Sequence, residues 1–321
     1  MAEIAIVGAG MAGLAAAEAL TGAGHAVRIY EKSGGLGGRL ATRRSAAGGF
    51  DHGAPGFTAG DPAFAALLAS AAEGEQAAPW HDGAASLLTR TRGPAHTGLP
   101  GASGTVRAFL TSDAGLSEDR IARRSEVTAL SSTPQGGWRL SLGQDDAAAD
   151  ILLLAIPAPQ AARLLGTAGI AEPAFNMVAM APRLTAMVAF MSPVATPDSL
   201  APPIEKALRE NDKPGRASGD DRWVLHADAD WSAAHVDEDK DAIAERLIAA
   251  FAEGAGPLPP ETYRAGHRWR YGLTTRPLGQ PCLWHAERRL GLCGDWCLGD
   301  TVEHAFRSGR SLAARVSDTL G

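Results

Sequence analysis

The sequence predicts an α/β protein of two domains. A parallel, helix-flanked sheet is assembled from both ends of the chain, and a mixed-sheet domain comes from its middle. Three observations carry this. Residues 3–31 read as strand, glycine turn, helix and strand. Residues 34–44, GGLGGRLATRR, put four glycines and three arginines into eleven positions. Residues 290–316 read as a short strand, a Gly-Asp pair and a long amphipathic helix. The chain has 321 residues, 45% of them hydrophobic, enough for one large or two interleaved domains.

In EIAIVGAGMAGLAAAEALTGAGHAVRIYEK, Ile4, Ile6 and Val7 belong to a continuous apolar run, as a buried parallel strand requires. Gly8, Gly10 and Gly13 follow as G-x-G-x-x-G, with Met11 and Ala12 opening a helix that Gly22 and Gly24 end. The first glycine permits the tight turn, the second lets backbone approach a pyrophosphate, and the third lets helix pack on sheet. The helix N-terminus offers free N–H groups and partial positive charge to phosphate. Glu31, at the end of the second strand and followed by Lys32, is placed to accept hydrogen bonds from an adenosine ribose. Its charge would repel a 2′-phosphate. Strand, turn, helix, strand and acid together make this a Rossmann-like dinucleotide fingerprint.

The second glycine-rich loop separates FAD from NAD as the ligand. The pattern E-K-x-x-G-x-G-G-R, completed by D-x-G-A at Asp51–Ala54, resembles the second nucleotide motif of FAD proteins related to the flavin amine oxidases. The resemblance implies that Arg39 meets the pyrophosphate. It also implies that backbone near Gly37–Gly38 and Asp51–Ala54, with His52, Gly53 and Ala54, runs beside the flavin. Gly294-Asp295 matches the pair that binds the ribityl chain in that superfamily. The following helix carries Val302, Ala305, Phe306, Gly309, Leu312, Ala313 and Val316 on one face. Asp300 and Glu303 are expected as its N-cap and N3 pair. That helix would aim its positive end, with Val302, Glu303 and Ala305, at the flavin edge where reduction places negative charge.

GGRLATRR (37–44), FDHGAPGFT (50–58), RWVLHADADWS (222–232), HRWRYGL (267–273) and GDWCLGDTVEHAFRSG (294–309) look like the renalase family, especially its bacterial members. The likeness runs nearly end to end. It departs at Pro55-Gly56, where the family usually has glutamine then an aromatic, and this could alter substrate preference. The resemblance implies non-covalent FAD in a Rossmann-like domain of p-hydroxybenzoate hydroxylase-like architecture. It implies an oxidase in which 2- or 6-dihydro isomers of NAD(P)H give hydride to flavin N5, with O2 reoxidising the flavin to yield H2O2 and NAD(P)+. Loss of hydride makes the dihydropyridine aromatic, so no proton need be removed, and the protein mainly positions the reactants. An amine oxidase or desaturase acting on another small molecule is the alternative. Against it, amine oxidases of this superfamily usually place a lysine near flavin N5. This chain has lysine only at 32, 206, 213 and 240.

Residues 1–75, 98–165 and 276–321 are expected to form the FAD domain, and 76–97 with 166–275 the substrate domain. In relatives the strand around Val127 offers backbone to the adenine. Gly98, Gly101 and Gly104 suit close helix packing better than a second phosphate loop. Residues 183–191 read as a strand, and 192–221 as a polar, proline-rich surface excursion holding Lys206 and Lys213. Residues 237–251 read as an amphipathic helix capped by Asp237, with Ile243, Leu247 and Phe251 inward. Trp223, His226, Trp231, His267, Arg268, Trp269, Arg270 and Tyr271 are the candidates for the substrate pocket. Aromatic walls suit a flat nicotinamide ring, and histidine and arginine suit its ribose and phosphates. Alternation along a strand would turn only half of residues 267–271 toward the flavin.

The composition excludes other classes. A net charge of −6 and a pI near 5.9 argue against a nucleic-acid partner. Cys282, Cys293 and Cys297 make no disulfide framework and fit a reducing compartment. Histidines 52, 81, 96 and 226 are scattered, with no metal-ligand spacing. The N-terminus lacks a basic leader, and no apolar run is long enough to span a bilayer. A cytoplasmic protein is expected, its partners a small dinucleotide and O2, with a monomer slightly favoured.

Overall fold

The computed structural model describes residues 2–54, 56–80, 95–110, 112, 114–143, 145–216 and 219–321. Strand β1 (Glu3–Val7) leads through the glycine turn to helix α1 (Met11–Gly22) and strand β2 (Ala26–Glu31). β1 is buried on both faces, Ile4 and Ile6 in one core and Ala5 and Val7 in another, which explains its unbroken apolar run. The helix stops at Gly22, and Gly24 turns the chain with a φ of 86°.

The chain continues through a small hairpin, β3 (Thr42–Ser45) and β4 (Gly48–Asp51), then β5 (Phe57–Thr58), α2 (Pro62–Glu73), β6 (Ala77–Trp80) and β7 (Ala95–Gly98). Next come α3 (Thr105–Leu110), β8 (Ile121–Arg123), the meander β9 (Ala129–Ser132), β10 (Trp138–Leu142) and β11 (Asp145–Ala149), then β12 (Ile151–Leu154) and α4 (Ala158–Thr167). The middle of the chain supplies β13 (Ala179–Phe190), β14 (Ile204–Arg209), β15 (Asp221–Ala227), the short α5 (Ala229–Ala234), α6 (Lys240–Ala255) and β16 (Glu261–Arg276). It returns as β17 (Leu283–His285), β18 (Leu290–Leu292) and α7 (Val302–Leu320).

Among the described residues the first sheet has the order β17-β18-β12-β1-β2-β8, parallel except for β17 at its edge. A single strand, β12, separates β1 from β18, so one domain is closed by the two ends of the chain. Helices α1 and α7 cover one face through Leu14, Leu20, Leu312 and Val316. The meander and α4 cover the other through Leu130, Trp138, Leu140 and Leu165. The α1–α7 contact is close because Gly309 has no side chain: a Cβ there would lie 2.1 Å from the Ala12 carbonyl oxygen. This is the Rossmann-like architecture the motifs predict, with the second, antiparallel sheet beside it.

That second sheet runs β14-β15-β13-β16. Its alternation divides the side chains cleanly. Leu184, Ala186, Val188, Phe190, Trp223 and Leu225 pack under Ile243, Leu247 and Phe251 of α6. Met187, Ala189 and Val224 face the opposite way and receive Phe50 of β4. A third small sheet, β5-β7-β6, joins residues expected in different domains, and Trp80 of β6 packs on Leu208 of β14.

Three local expectations are corrected. Residues 192–221 are not a surface excursion: β14 lies inside them, Ile204, Ala207 and Leu208 are buried, and Lys213 is 3% exposed. Apolar spacing was too sparse to reveal a strand whose inward face is shared with charged groups. The N-cap of α7 is Thr301, whose hydroxyl accepts from the His304 N–H, not Asp300. Glu303 instead accepts from the Gly60 and Asp61 N–H groups, tying α7 to the start of α2. The cap of α6 is Asp239, not Asp237, because the helix starts at Lys240.

Candidate cofactor and substrate site

The glycine turn presents α1 end-on at the C-terminal edge of β1, where parallel sheets bind ligands. Gly8 has a φ of 103°, outside the range open to most side chains. Gly13 is held by packing: a Cβ would lie 2.0 Å from the Gly8 carbonyl oxygen. Gly10 differs. Nothing lies within 4 Å of where its Cβ would stand, so its bareness faces open space. Met11 and Ala12 continue into the buried first turn. Glu31 fixes the edge of this cradle, accepting from the Ala9 N–H at 2.9 Å and the Ser33 N–H at 2.8 Å. Lys32 next to it is exposed.

The second glycine loop closes on the first. The Gly37 N–H donates to the Ala9 carbonyl at 2.8 Å, and Gly38 lies against Gly10. Arg39 is aimed across the cradle. Its guanidinium donates to Asp295 Oδ1 at 2.6 Å and to the Gly272 carbonyl at 3.1 Å. Burial opposes the Arg39 charge, but Asp295, with Asp300 behind it, holds its pKa above the ordinary value. Asp295 also accepts from Thr274 Oγ1 at 3.2 Å. Gly294 donates its N–H to Ser308 Oγ at 3.0 Å, which seats the Gly-Asp turn on α7 beside Val302 and Ala305. Motifs 256 residues apart thus meet in one ion pair.

The segment after β4 forms the next wall. The Ala54 N–H donates to the Arg39 carbonyl at 2.7 Å, and Gly53 needs its missing side chain, since a Cβ would meet that same carbonyl at 2.2 Å. His52 turns toward β16. Trp269 Nε1 donates to its carbonyl at 2.8 Å, and the rings of His52, His267 and Trp269 lie 4.3–5.1 Å apart centre to centre. Burial pushes the His52 pKa down to about 4 and that of His267 down to about 3, the latter helped by His52 itself. Both rings are neutral at physiological pH.

The expected pocket residues divide by strand parity. His267 and Trp269 face His52, as the alternation predicts. Arg268 and Arg270 point to the other side, where Arg268 donates to the Glu238 carbonyl and Arg270 to Asp237 at 2.7 Å. Tyr271 reaches Arg163 of α4, its hydroxyl 2.8 Å from the guanidinium. Trp223 lies fully buried in the α6 core against Phe251, with Nε1 on Asp221. Trp231 stacks on His235 under Arg246. His226 shares the His267 side of the sheet: register places Lys206, His226, Thr185 and His267 in one row across four strands. Its Nδ1 lies 2.9 Å from Thr185 Oγ1, and burial, with Arg183 and Lys206 nearby, drives its pKa well down. Val127 lies just before β9, buried in the meander core. Pro55 and His81 lie outside the described residues.

Sequence reasoning missed the charges beneath this wall. Asp51, Glu210, Lys213 and Arg216 are buried together, and Lys206 is half-buried on β14 with its pKa lowered by burial and by Arg183. The alternation of Lys206 and Leu208 opposite Ala207 was the available signal. Cys293 and Cys297 are buried thiols, the second pushed up by burial to about 12, which makes them unreactive. No cluster of metal-binding type occurs among the described residues, and no helix there is long and apolar enough to cross a membrane.

Comparisons agree with this geometry. Residues 6–71 match the family model of the NAD(P)-binding Rossmann-like domain. An L-amino-acid oxidase from Echis ocellatus is 52% identical over 48 residues, which is 15% of this chain and spans about a tenth of that relative (10%). Similar solved structures cover nearly all of both chains. A protein of Exiguobacterium sp. 255-15 assigned as a protoporphyrinogen oxidase has a TM-score of 0.77 at 15% identity, over 98% of each chain. Cyclohexylamine oxidase from Brevibacterium oxydans IH-35A has 0.74 at 14%, over 99% of each. A putrescine oxidase bound to putrescine has 0.68 at 13%, over 98% of each. The two sheets, the glycine cradle between them and the closure by α7 therefore constitute the fold that this chain shares with these oxidases.

Proposed function

We propose that the protein is an FAD-dependent oxidase whose substrate is a dihydronicotinamide, a 2- or 6-dihydro isomer of NAD(P)H. The cradle fits FAD. Open space at Gly10, the α1 N-terminus, the Glu31 carboxylate and the Arg39–Asp295 pair offer the contacts that pyrophosphate, ribose and ribityl groups need. When bound, FAD supplies the hydride acceptor and passes the electrons to O2 as H2O2.

One observation carries the substrate reading: the wall of His52, His267 and Trp269 is a cluster of edge-on and tilted rings, aromatic and uncharged. A dihydropyridine is neutral, and its oxidised product is a cation. Neutral imidazoles let that positive charge develop without opposition, whereas imidazolium would repel it at close range. The rings stack and orient the substrate, and Trp269 holds the His52 backbone in place.

Lys206 favours a second reading. It is half-buried in a strand of the second sheet, its pKa lowered, on the side that carries His267. Three strand spacings separate it from His267, and a flavin amine oxidase remains the alternative. Anaerobic stopped-flow separates the two. Borohydride-reduced NAD, a mixture of 2-, 4- and 6-dihydro isomers, should bleach the flavin band faster than pure 4-dihydro NADH or primary amines do. Faster bleaching by a primary amine would overturn the dihydronicotinamide reading.

A further inference from the structure

We propose that Lys213 is a positioning residue: with Asp51, Glu210 and Arg216 it forms a buried latch between the β3–β4 hairpin and the second sheet that holds the His52–Ala54 backbone at the cofactor. The inference rests on the FAD reading above. Asp51 ends β4, whereas Glu210, Lys213 and Arg216 follow β14 of the second sheet. Lys213 Nζ donates to Asp51 Oδ2 and Glu210 Oε1, each at 2.9 Å, and Arg216 reaches the same two carboxylates. Lys213, Asp51 and Glu210 side chains are fully buried and Arg216 is 3% exposed. Two acids face two bases, with buried Arg222 close to Arg216 and Glu210, so the group is satisfied only as a whole.

The remaining contacts give the latch a direction. Asp51 Oδ1 accepts from Thr42 at 2.7 Å and from the Ala102 N–H at 2.9 Å, so every side of the carboxylate is held. The backbone beyond it is held by hydrogen bonds, the His52 carbonyl accepting from Trp269 and the Ala54 N–H donating to the Arg39 carbonyl, against which Gly53 packs closely. A shift of Asp51 would therefore move the wall and Arg39 together. Burying four charges is not needed for stability alone, since an apolar replacement often serves as well. What charges add here is one fixed geometry at a domain seam.

The test uses Lys213→Met, Lys213→Arg and the uncharged change Thr42→Val, each reconstituted with FAD. FAD affinity is measured by flavin fluorescence, and the flavin absorption spectrum and reduction potential are recorded. Lys213→Met should weaken FAD at least ~10-fold and shift spectrum and potential, while Lys213→Arg should return to within about 3-fold of wild type. Thr42→Val should move the same readouts in the same direction by ~2–5-fold, and it decides the matter if Lys213→Met does not fold. Wild-type affinity, spectrum and potential in a folded Lys213→Met, or in Thr42→Val when the former is unfolded, would overturn the latch. Wild-type protein that takes up no FAD would instead overturn the reading beneath it.

Discussion

Gly10 and Gly13 sit three residues apart in the same turn, yet the structure assigns them opposite reasons for being glycine, and a pair of substitutions separates those reasons. Gly10 has an extended backbone (φ −78°, ψ −179°) that valine adopts without strain, and no atom lies within 4 Å of its missing Cβ. Gly10→Val should therefore leave apo-protein stability within about 0.5 kcal/mol of wild type. Its side chain would stand where the pyrophosphate is expected, so FAD affinity should fall at least ~100-fold, about 3 kcal/mol. Gly13→Ala places a Cβ 2.0 Å from the Gly8 carbonyl oxygen, a backbone atom that cannot swing aside. Separating them means moving α1 by more than 1 Å from the sheet on both of its packed sides, at about 3 kcal/mol or more. The apo melting temperature should drop by roughly 5 °C or more. Differential scanning calorimetry of the apo forms and FAD titration by fluorescence quenching read the two effects. The reasoning is refuted if Gly10→Val melts as low as Gly13→Ala, or if it binds FAD normally.

Other consequences are checked more simply. His52 keeps its pKa near 4 when folded against an ordinary 6.5, so the unfolded chain takes up its proton first. Stability from this group is complete above pH 6.5 and is lost as pH falls toward 4, by about 3 kcal/mol, which urea unfolding between pH 7 and 4 would show and which His52→Gln should reduce. The rate of flavin reduction should be flat from pH 8 to 5 and fall below pH 5 as the wall charges; a break near pH 6.5 would contradict neutral, buried rings. Trp269→Phe removes the bond to the His52 carbonyl while keeping the ring. It should lower kcat/KM for the dihydronicotinamide about 10-fold with little change in FAD affinity, measured by steady-state kinetics and fluorescence. Arg39→Lys loses the two-point hold on Asp295 and Gly272 and should weaken FAD about 10-fold, which equilibrium dialysis would detect.

Much of the first domain is a local matter and was legible in the chain. G-x-G-x-x-G needs only its neighbours to make a turn, and the faces of β1, α1 and α7 follow from period. The same holds for Gly294-Asp295, whose partner Arg39 was named without knowing that the two would touch. The caps were legible in type but not in position: Thr301 and Asp239 stand one and two residues from the acids expected, and cap choice depends on where tertiary packing starts the helix. The second sheet was the hardest to read. β14 (IEKALR) mixes charged and apolar residues across a register shift, with Ile204 and Ala207 meeting α6, and a sequence cannot distinguish that from a solvated strand.

The sequence by itself determined the dinucleotide cradle and the identity of the glycines that let backbones touch, while closure of one domain by both ends of the chain was implied by the resemblance of its terminal motifs. Those features depend on spacing, chirality and the absence of side chains, all of which are local. Only the tertiary structure decided which members of 267–271 face His52, that Trp223 belongs to a core, and that Lys213 is buried against Asp51. Each of these depends on what packs across from a residue, and a buried charge is distinguishable from an exposed one only by the partner that neutralises it, here 162 residues away.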